Sequence, residues 1–210
     1  MIQPAIVPVY ALHADTVRRA NLADMKRLMP ERMKKAGRYR FERDRLLCIG
    51  AGLLMLRVLG IPGESVLKYG AYGKPSAQGY PPFSLSHSGD WCLLAAGPDA
   101  VGVDLEKPVP SALNTAPKVF TPAERAWMDE APLERFFRLW TWKESVMKAT
   151  GLGMSLAPES FEVLPFTRNE PLILDGSRWY AVSFDLAGYA CSVCTSVPPA
   201  VSLQILKPDP

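Results

Sequence analysis

The sequence predicts an α+β fold of two similar halves, each a mainly antiparallel sheet packed with a long helix, with a functional cleft between them. Three observations carry that prediction. Helical patterns over residues 43–59 and 133–149 are each closed by glycine, Gly60 and Gly151. Each helix is followed by strand-like runs: 82–86, 91–96 and 101–106 after the first, and 161–164, 179–185, 189–197 and 201–206 after the second. Between the halves, residues 107–116 carry Pro108 and Pro110 and read as a linker. The halves, 1–108 and 109–210, therefore read as two lobes of one compact unit. An internal duplication is also suggested by residues 84–92, whose order of Ser, His, Gly and Trp91 is faintly echoed over 182–190.

The elements follow in order. Residues 5–12 read as a strand and 16–28 as an amphipathic helix ending before Pro30. A basic helical segment spans 31–40. The helix over 43–59 contains Gly50, Ala51 and Gly52, small residues that permit close packing at a cost in helix propensity. Residues 61–82 are rich in Gly, Pro and Tyr and read as loops with a short strand, where Gly73-Lys74-Pro75 forms a turn carrying an exposed lysine. Gly89-Asp90 and Gly97-Pro98-Asp99 separate three successive strands, which together argue an antiparallel sheet. Thr121-Pro122-Ala123-Glu124 has a Thr cap, Pro at the first helical position and Glu three residues after the cap.

Composition excludes several classes. With 48% hydrophobic and 21% charged residues, the 210-residue chain has the make-up of a soluble globular protein. No apolar run approaches the ~18 residues of a membrane span, and Met1–Val7 lacks the basic and apolar regions of a signal peptide, so cytoplasm is the expected compartment. A net charge of +3 is too small to imply nucleic acid. The basic residues instead cluster between Lys26 and Arg45, a patch suited to phosphates or an acidic protein partner, or to a solvated helix face. Cys48, Cys92, Cys191 and Cys194 form no zinc-binding set and read as reduced, buried thiols.

The chemistry concentrates in two stretches. In Val101–Glu106 apolar residues alternate with Gly102, Asp104 and Glu106, so the two carboxylates project from one face roughly 7 Å apart. Such a face is either solvated or shares a cation. In the helix over 133–149, Leu133, Phe136, Phe137, Trp140 and Met147 form an apolar stripe. Glu144 falls inside the stripe, with Lys143 and Lys148 at its edges. A carboxylate there needs a partner, and Lys148 at i+4 is one candidate. Three carboxylates with two lysines also suit Mg²⁺ and a phosphoryl centre. His87, among Ser84, Ser86 and Ser88, is suited to holding a phosphate oxygen. No Walker-type loop or dinucleotide fingerprint is present.

Phe83-Ser84-Leu85-Ser86-His87-Ser88-Gly89, Val101-Gly102-Val103-Asp104-Leu105-Glu106 and Trp140-Thr141-Trp142-Lys143-Glu144-Ser145-Val146-Met147-Lys148, in that order, resemble the signature blocks of the 4′-phosphopantetheinyl transferase family. The length, the Gly73-Lys74-Pro75 turn and the Gly151-Leu152-Gly153 segment are similar to its two-lobed, monomeric, surfactin-synthetase-type branch. The resemblance implies transfer of the phosphopantetheine arm of coenzyme A to a serine of an apo acyl, peptidyl or aryl carrier protein, releasing adenosine 3′,5′-bisphosphate. It implies Mg²⁺, with Mn²⁺ as a substitute, on Asp104, Glu106 and Glu144, with Glu144 also a base for the carrier serine. It further implies coenzyme A contacts by Ser86, His87, Lys143 and Lys148, and by Lys74 and Pro75 near the adenine end. Arg32, Lys35 and Arg45 are the counterparts expected at the 3′-phosphate, with Lys34, Arg38 and Arg43 as alternatives. Glu124 matches a recurring family glutamate and also completes a capping box. Two other readings use the same residues: a Mg²⁺-dependent hydrolase of a pyrophosphate, and a non-enzymatic module that binds coenzyme A or a carrier.

Overall fold

A computed structural model describes residues 4–207; Met1–Gln3, the head of the segment read as lacking a signal peptide, lie outside them. In chain order the elements are β1 (Ala5–His13), α1 (Ala14–Arg19), α2 (Ala23–Leu28), α3 (Pro30–Gly37), α4 (Glu42–Leu59), β2 (Leu67–Tyr69), β3 (Pro75–Ala77), β4 (Phe83–Ser88), β5 (Trp91–Ala96) and β6 (Val101–Glu106). There follow α5 (Ala116–Val119), α6 (Pro122–Met128), α7 (Pro132–Thr150), β7 (Leu172–Leu174), β8 (Ser177–Leu186), β9 (Tyr189–Thr195) and β10 (Pro199–Ile205). Among these residues no helix is long and apolar enough to cross a membrane.

The result is a mixed α and β architecture with two four-stranded sheets, ordered β10-β1-β5-β4 and β6-β9-β8-β7, plus the β2–β3 hairpin. All pairings are antiparallel except β1 with β10. The sheets pack on each other through Val7, Val9 and Ala11 of β1, Leu93 and Ala95 of β5, Val101, Val103 and Leu105 of β6, and Cys191 and Val193 of β9. The opposite face of β1 and β5, including Leu12, Cys92 and Leu94, packs on α1 to α4. On the second sheet, Cys194 and Trp179 pack with α7 and the 161–166 segment.

Period two explains this layering. Because neighbouring side chains on a strand point to opposite faces, β6 sends its odd residues into the layer between the sheets and its even residues toward α7. Gly102 makes the approach possible: a Cβ there would lie 2.5 Å from Ala149 N and 2.9 Å from the Ser145 carbonyl carbon. Real side chains do not tolerate such distances, so β6 and α7 touch backbone to backbone only at glycine.

Several expectations are corrected. The helix expected over 16–28 is two short helices, because the Asn21 side chain accepts the Ala23 N–H and starts a new turn. The third strand of the 82–106 run does not join the first two; β6 pairs with β9 instead of β5. Residues 161–164 form no strand, since the Val163 N–H is donated to Glu124 Oε1 and Pro165 follows. The Gly60 and Gly151 stops are left-handed caps, and Thr121 and Glu124 form the expected capping box. All four cysteines are free and buried.

Candidate active site

The site grows out of β4, β6 and α7. Although β4 and β6 belong to different sheets, serines at alternate positions of β4 bridge them. Ser84 Oγ accepts the Val103 N–H at 3.1 Å, Ser86 Oγ donates to Asp104 Oδ1 at 2.7 Å, and Ser88 Oγ donates to Glu106 Oε2 at 2.8 Å. The even residues of β6 thus meet a row of hydroxyls on one side and α7 on the other.

Asp104 is buried, with 2% of its surface exposed. Its Oδ1 also accepts from Lys148 Nζ at 2.6 Å, while Oδ2 is buried with no hydrogen-bond partner. Lys148 Nζ donates to Ser86 Oγ at 3.0 Å and lies 4.0 Å from Glu144 Oε2. Burial opposes the Lys148 charge, but Asp104 and Glu144 outweigh it and hold the ammonium above its ordinary pKa. Burial raises Glu106, Asp104 raises it further, and the Ser88 hydrogen bond lowers it in part. Glu144 is pushed up to about 7, chiefly by burial, with Lys148 opposing and Asp104 and Glu106 adding to the rise.

Glu144 and Lys148 line a 330 Å³ cavity, together with Tyr72, Gly73, Lys74, Pro75, Ser84, Leu85 and Met147. Residues before and after the 107–116 segment therefore share its wall. A separate 230 Å³ cavity, lined by Pro108, Phe137, Arg138, Thr141 and Tyr189, holds none of the residues expected to act. Among the described residues, no group of three His, Cys, Asp or Glu side chains is gathered closely enough to hold a metal as the side chains stand. Lys148 Nζ, bonded to Asp104 and facing Glu144, supplies the positive charge in this arrangement.

Residues 100–194, which include β6, α7 and β9, match the 4′-phosphopantetheinyl transferase superfamily. Over those residues the chain is similar to that superfamily. It is 28% identical over 189 residues to the 4′-phosphopantetheinyl transferase Sfp of Bacillus subtilis, covering 83% of this chain and 84% of that protein. It is 29% identical to the 4′-phosphopantetheinyl transferase gsp of Aneurinibacillus migulanus, covering 73% and 68%. A third relative is the L-aminoadipate-semialdehyde dehydrogenase-phosphopantetheinyl transferase of Mus musculus, 33% identical over 75% of this chain and 62% of its own length.

In this 4′-phosphopantetheinyl transferase homologue Asp104, Glu106, Glu144, Lys148 and Ser86 come together, and His87 stands at the end of the same strand. The surrounding protein and then the Lys148 charge hold the exposed His87 below the ordinary imidazole pKa, and the charges of Asp44 and Lys35 also register on it. Lys143 is elsewhere. It is fully buried, paired with Glu124 Oε2 at 2.8 Å, and donates to the carbonyls of Pro158 and Phe161 at 2.8 and 2.6 Å. Its side of α7 is no edge, because the rings of Phe161 and Phe120, centred 4.5 Å and 5.9 Å from Nζ, close over it.

Lys74 is half-buried rather than exposed: Nζ donates to Val101 O at 3.0 Å and Ala149 O at 3.1 Å, and burial lowers its pKa. Of the early basic residues, Arg32 is buried against Glu64, with Nε 3.1 Å from Oε1, and Arg45 is bound to the carbonyls of Tyr39 and Arg40. Lys35 is exposed. Glu124 performs both the cap and the Lys143 pairing. Ser88, which holds Glu106, was not among the residues expected to act; the period-two serines at 84, 86 and 88 are the signal for it.

Proposed function

We propose that the chain transfers the 4′-phosphopantetheine arm of coenzyme A to a serine of an apo acyl, peptidyl or aryl carrier protein and releases adenosine 3′,5′-bisphosphate. The observation that carries this reading is the carboxylate cluster beside the 330 Å³ cavity. Asp104 Oδ2 is buried without a partner, and Glu106 and Glu144 are both raised by burial and by neighbouring negative charge. Such a set of hard oxygens gains from a divalent cation, so Asp104, Glu106 and Glu144 fit Mg²⁺, or Mn²⁺ in its place. The ion would neutralise charge on the pyrophosphate of coenzyme A.

The chain's own residues account for the rest. Glu144, beside the cavity, is placed to accept the serine proton, directly or through water. The serine oxygen forms a bond to the phosphopantetheinyl phosphorus as the bond to the departing bisphosphate breaks. Lys148 offsets charge on the phosphates, and His87, largely neutral at pH 7, offers a hydrogen bond. Of Arg32, Lys35 and Arg45, Lys35 is exposed and best suited to the 3′-phosphate, with exposed Lys34, Arg38 and Arg43 as alternatives. Pro75 and the Lys74 stem wall the adenine end, with the Lys74 ammonium committed to backbone. Lys143, sealed in a core, is left out of the coenzyme A contacts.

The same reading treats 1–108 and 109–210 as two lobes of one cytoplasmic, monomeric enzyme. The placement of α1 to α4 and of α7 on different sheets supports it. In it the lobes exchange strands, β6 joining the second sheet and β10 the first.

The test incubates apo carrier protein, coenzyme A and Mg²⁺ with this protein and reads the intact mass of the carrier. A phosphopantetheine adduct supports transfer. Cleaved coenzyme A with unmodified carrier points to hydrolysis, and no change over several carriers points to a binding module. Glu144→Gln should abolish transfer with the fold retained; wild-type turnover in that variant would sink the assignment.

A further inference from the structure

We infer that Tyr189 is a positioning residue for Glu106, acting through the β4–β5 turn; the inference rests on the reading of Glu106 as a metal ligand. Tyr189 opens β9 and lines the separate 230 Å³ cavity rather than the one beside Glu144, and its ring is buried. Its hydroxyl accepts the Asp90 N–H at 3.0 Å and donates to Asp90 Oδ2 at 3.4 Å. The turn is moulded to the ring. Gly89 has φ +56°, and a Cβ there would lie 2.8 Å from Cε1 and Cζ of Tyr189 and closer still to its hydroxyl.

What the turn presents is Ser88. Its Oγ accepts the Lys107 N–H at 3.1 Å and donates to Glu106 Oε2 at 2.8 Å, so one hydroxyl fixes both the carboxylate and the backbone just beyond it. Lys107 Nζ also lies 3.7 Å from Asp90 Oδ2, closing a loop from Tyr189 through Asp90 and Lys107 to Ser88 and Glu106. Among the described contacts, the Tyr189 hydroxyl ties this turn directly to the sheet that bears Glu106. Groups that orient a ligand from behind typically change metal affinity by about 10- to 100-fold when removed.

The experiment compares the full chain with Tyr189→Phe, Ser88→Ala, the double variant and Glu106→Gln. Mn²⁺ binding is measured in the presence of coenzyme A from the electron spin resonance signal of free Mn²⁺, and thermal unfolding is followed in EDTA. Tyr189→Phe and Ser88→Ala should each weaken Mn²⁺ binding by about 10- to 100-fold. Because one acts through the other, the double variant should be no more than about twofold worse than Ser88→Ala alone. Wild-type Mn²⁺ affinity in Tyr189→Phe, even with a lowered melting temperature, would assign the hydroxyl to the fold alone and overturn the proposal. Additive losses in the double variant would overturn it as well. If Glu106→Gln binds Mn²⁺ like the wild type, the metal-ligand reading fails; if that variant loses Mn²⁺ and Tyr189→Phe does not, only the positioning role fails.

Discussion

Gly102→Ala is the most demanding test of how this fold sets the spacing of its site. The added Cβ would stand 2.5 Å from Ala149 N and closer still to Ser145 O, and both obstacles are backbone, which cannot rotate away. Carbon contacts settle near ~3.5 Å, so α7 must recede from β6 by roughly 1 Å or more. Overpacking of this kind costs typically ~1–3 kcal/mol, and a backbone clash belongs at the upper end. At roughly 3 kcal/mol, a chain of this size should melt about 6–12 °C lower. The displacement also draws Lys148 and Glu144 away from Asp104, so transfer should fall further than stability explains. Urea denaturation, with carrier mass analysis at a temperature where the variant is folded, separates the two effects. A variant with wild-type midpoint and turnover would refute the claim that glycine sets the β6–α7 distance.

Three more outcomes are expected. Lys143→Met strands the buried Glu124 charge and should cost roughly 3–5 kcal/mol by urea denaturation, with part regained in Lys143→Met/Glu124→Gln; the folded double variant should keep a wild-type KM for coenzyme A, and a large rise would place Lys143 in the cleft. Glu144 favours its protonated form in the native state, so its contribution to metal-free stability is full below about 4.5 and lost as pH rises toward about 7. Relative to Glu144→Gln in EDTA, the wild type should therefore lose up to roughly 3 kcal/mol between pH 5 and 8, and parallel unfolding curves would contradict the burial argument. Lys148→Met leaves Asp104 buried without its cation and should lose ~3 kcal/mol in EDTA, with Mg²⁺ restoring part of the melting temperature; no Mg²⁺ effect would count against the metal fit.

Much of this was legible in the sequence, for identifiable reasons. Alternation over 101–106 placed Asp104 and Glu106 on one face, and the interruption of an apolar stripe singled out Glu144; both are local signals of period and polarity. Lys143 was misplaced because helical angle reports a side chain's direction but not what packs there. The wall that buries it, from Phe120, Glu124, Pro158 and Phe161, comes largely from segments without periodic signal. Lys74 misled in a similar way: a lysine in a Gly-Pro turn reads as solvated until β6 and the end of α7 supply carbonyls. Strand partners were the least readable feature. β6 follows β5 closely yet pairs with β9, a long-range partner that no local pattern reports.

The parallel pairing of β1 with β10 joins residues 5–11 to residues 199–205. A ribosome releases the first of those segments long before the second. Until β10 emerges, the outer edge of β1 offers unpaired amides and carbonyls, while β6 waits for β9 in the same way. Neither sheet can be completed on a nascent chain in which only the first half has left the exit tunnel. Helices α1 to α4 can form early and cover one face of β1 and β5, but the outer edge of β1 stays available to other strands until β10 is made. The carboxylate cluster likewise waits until α7 has been made, because it needs β6 seated between the serines of β4 and the helix that follows the linker.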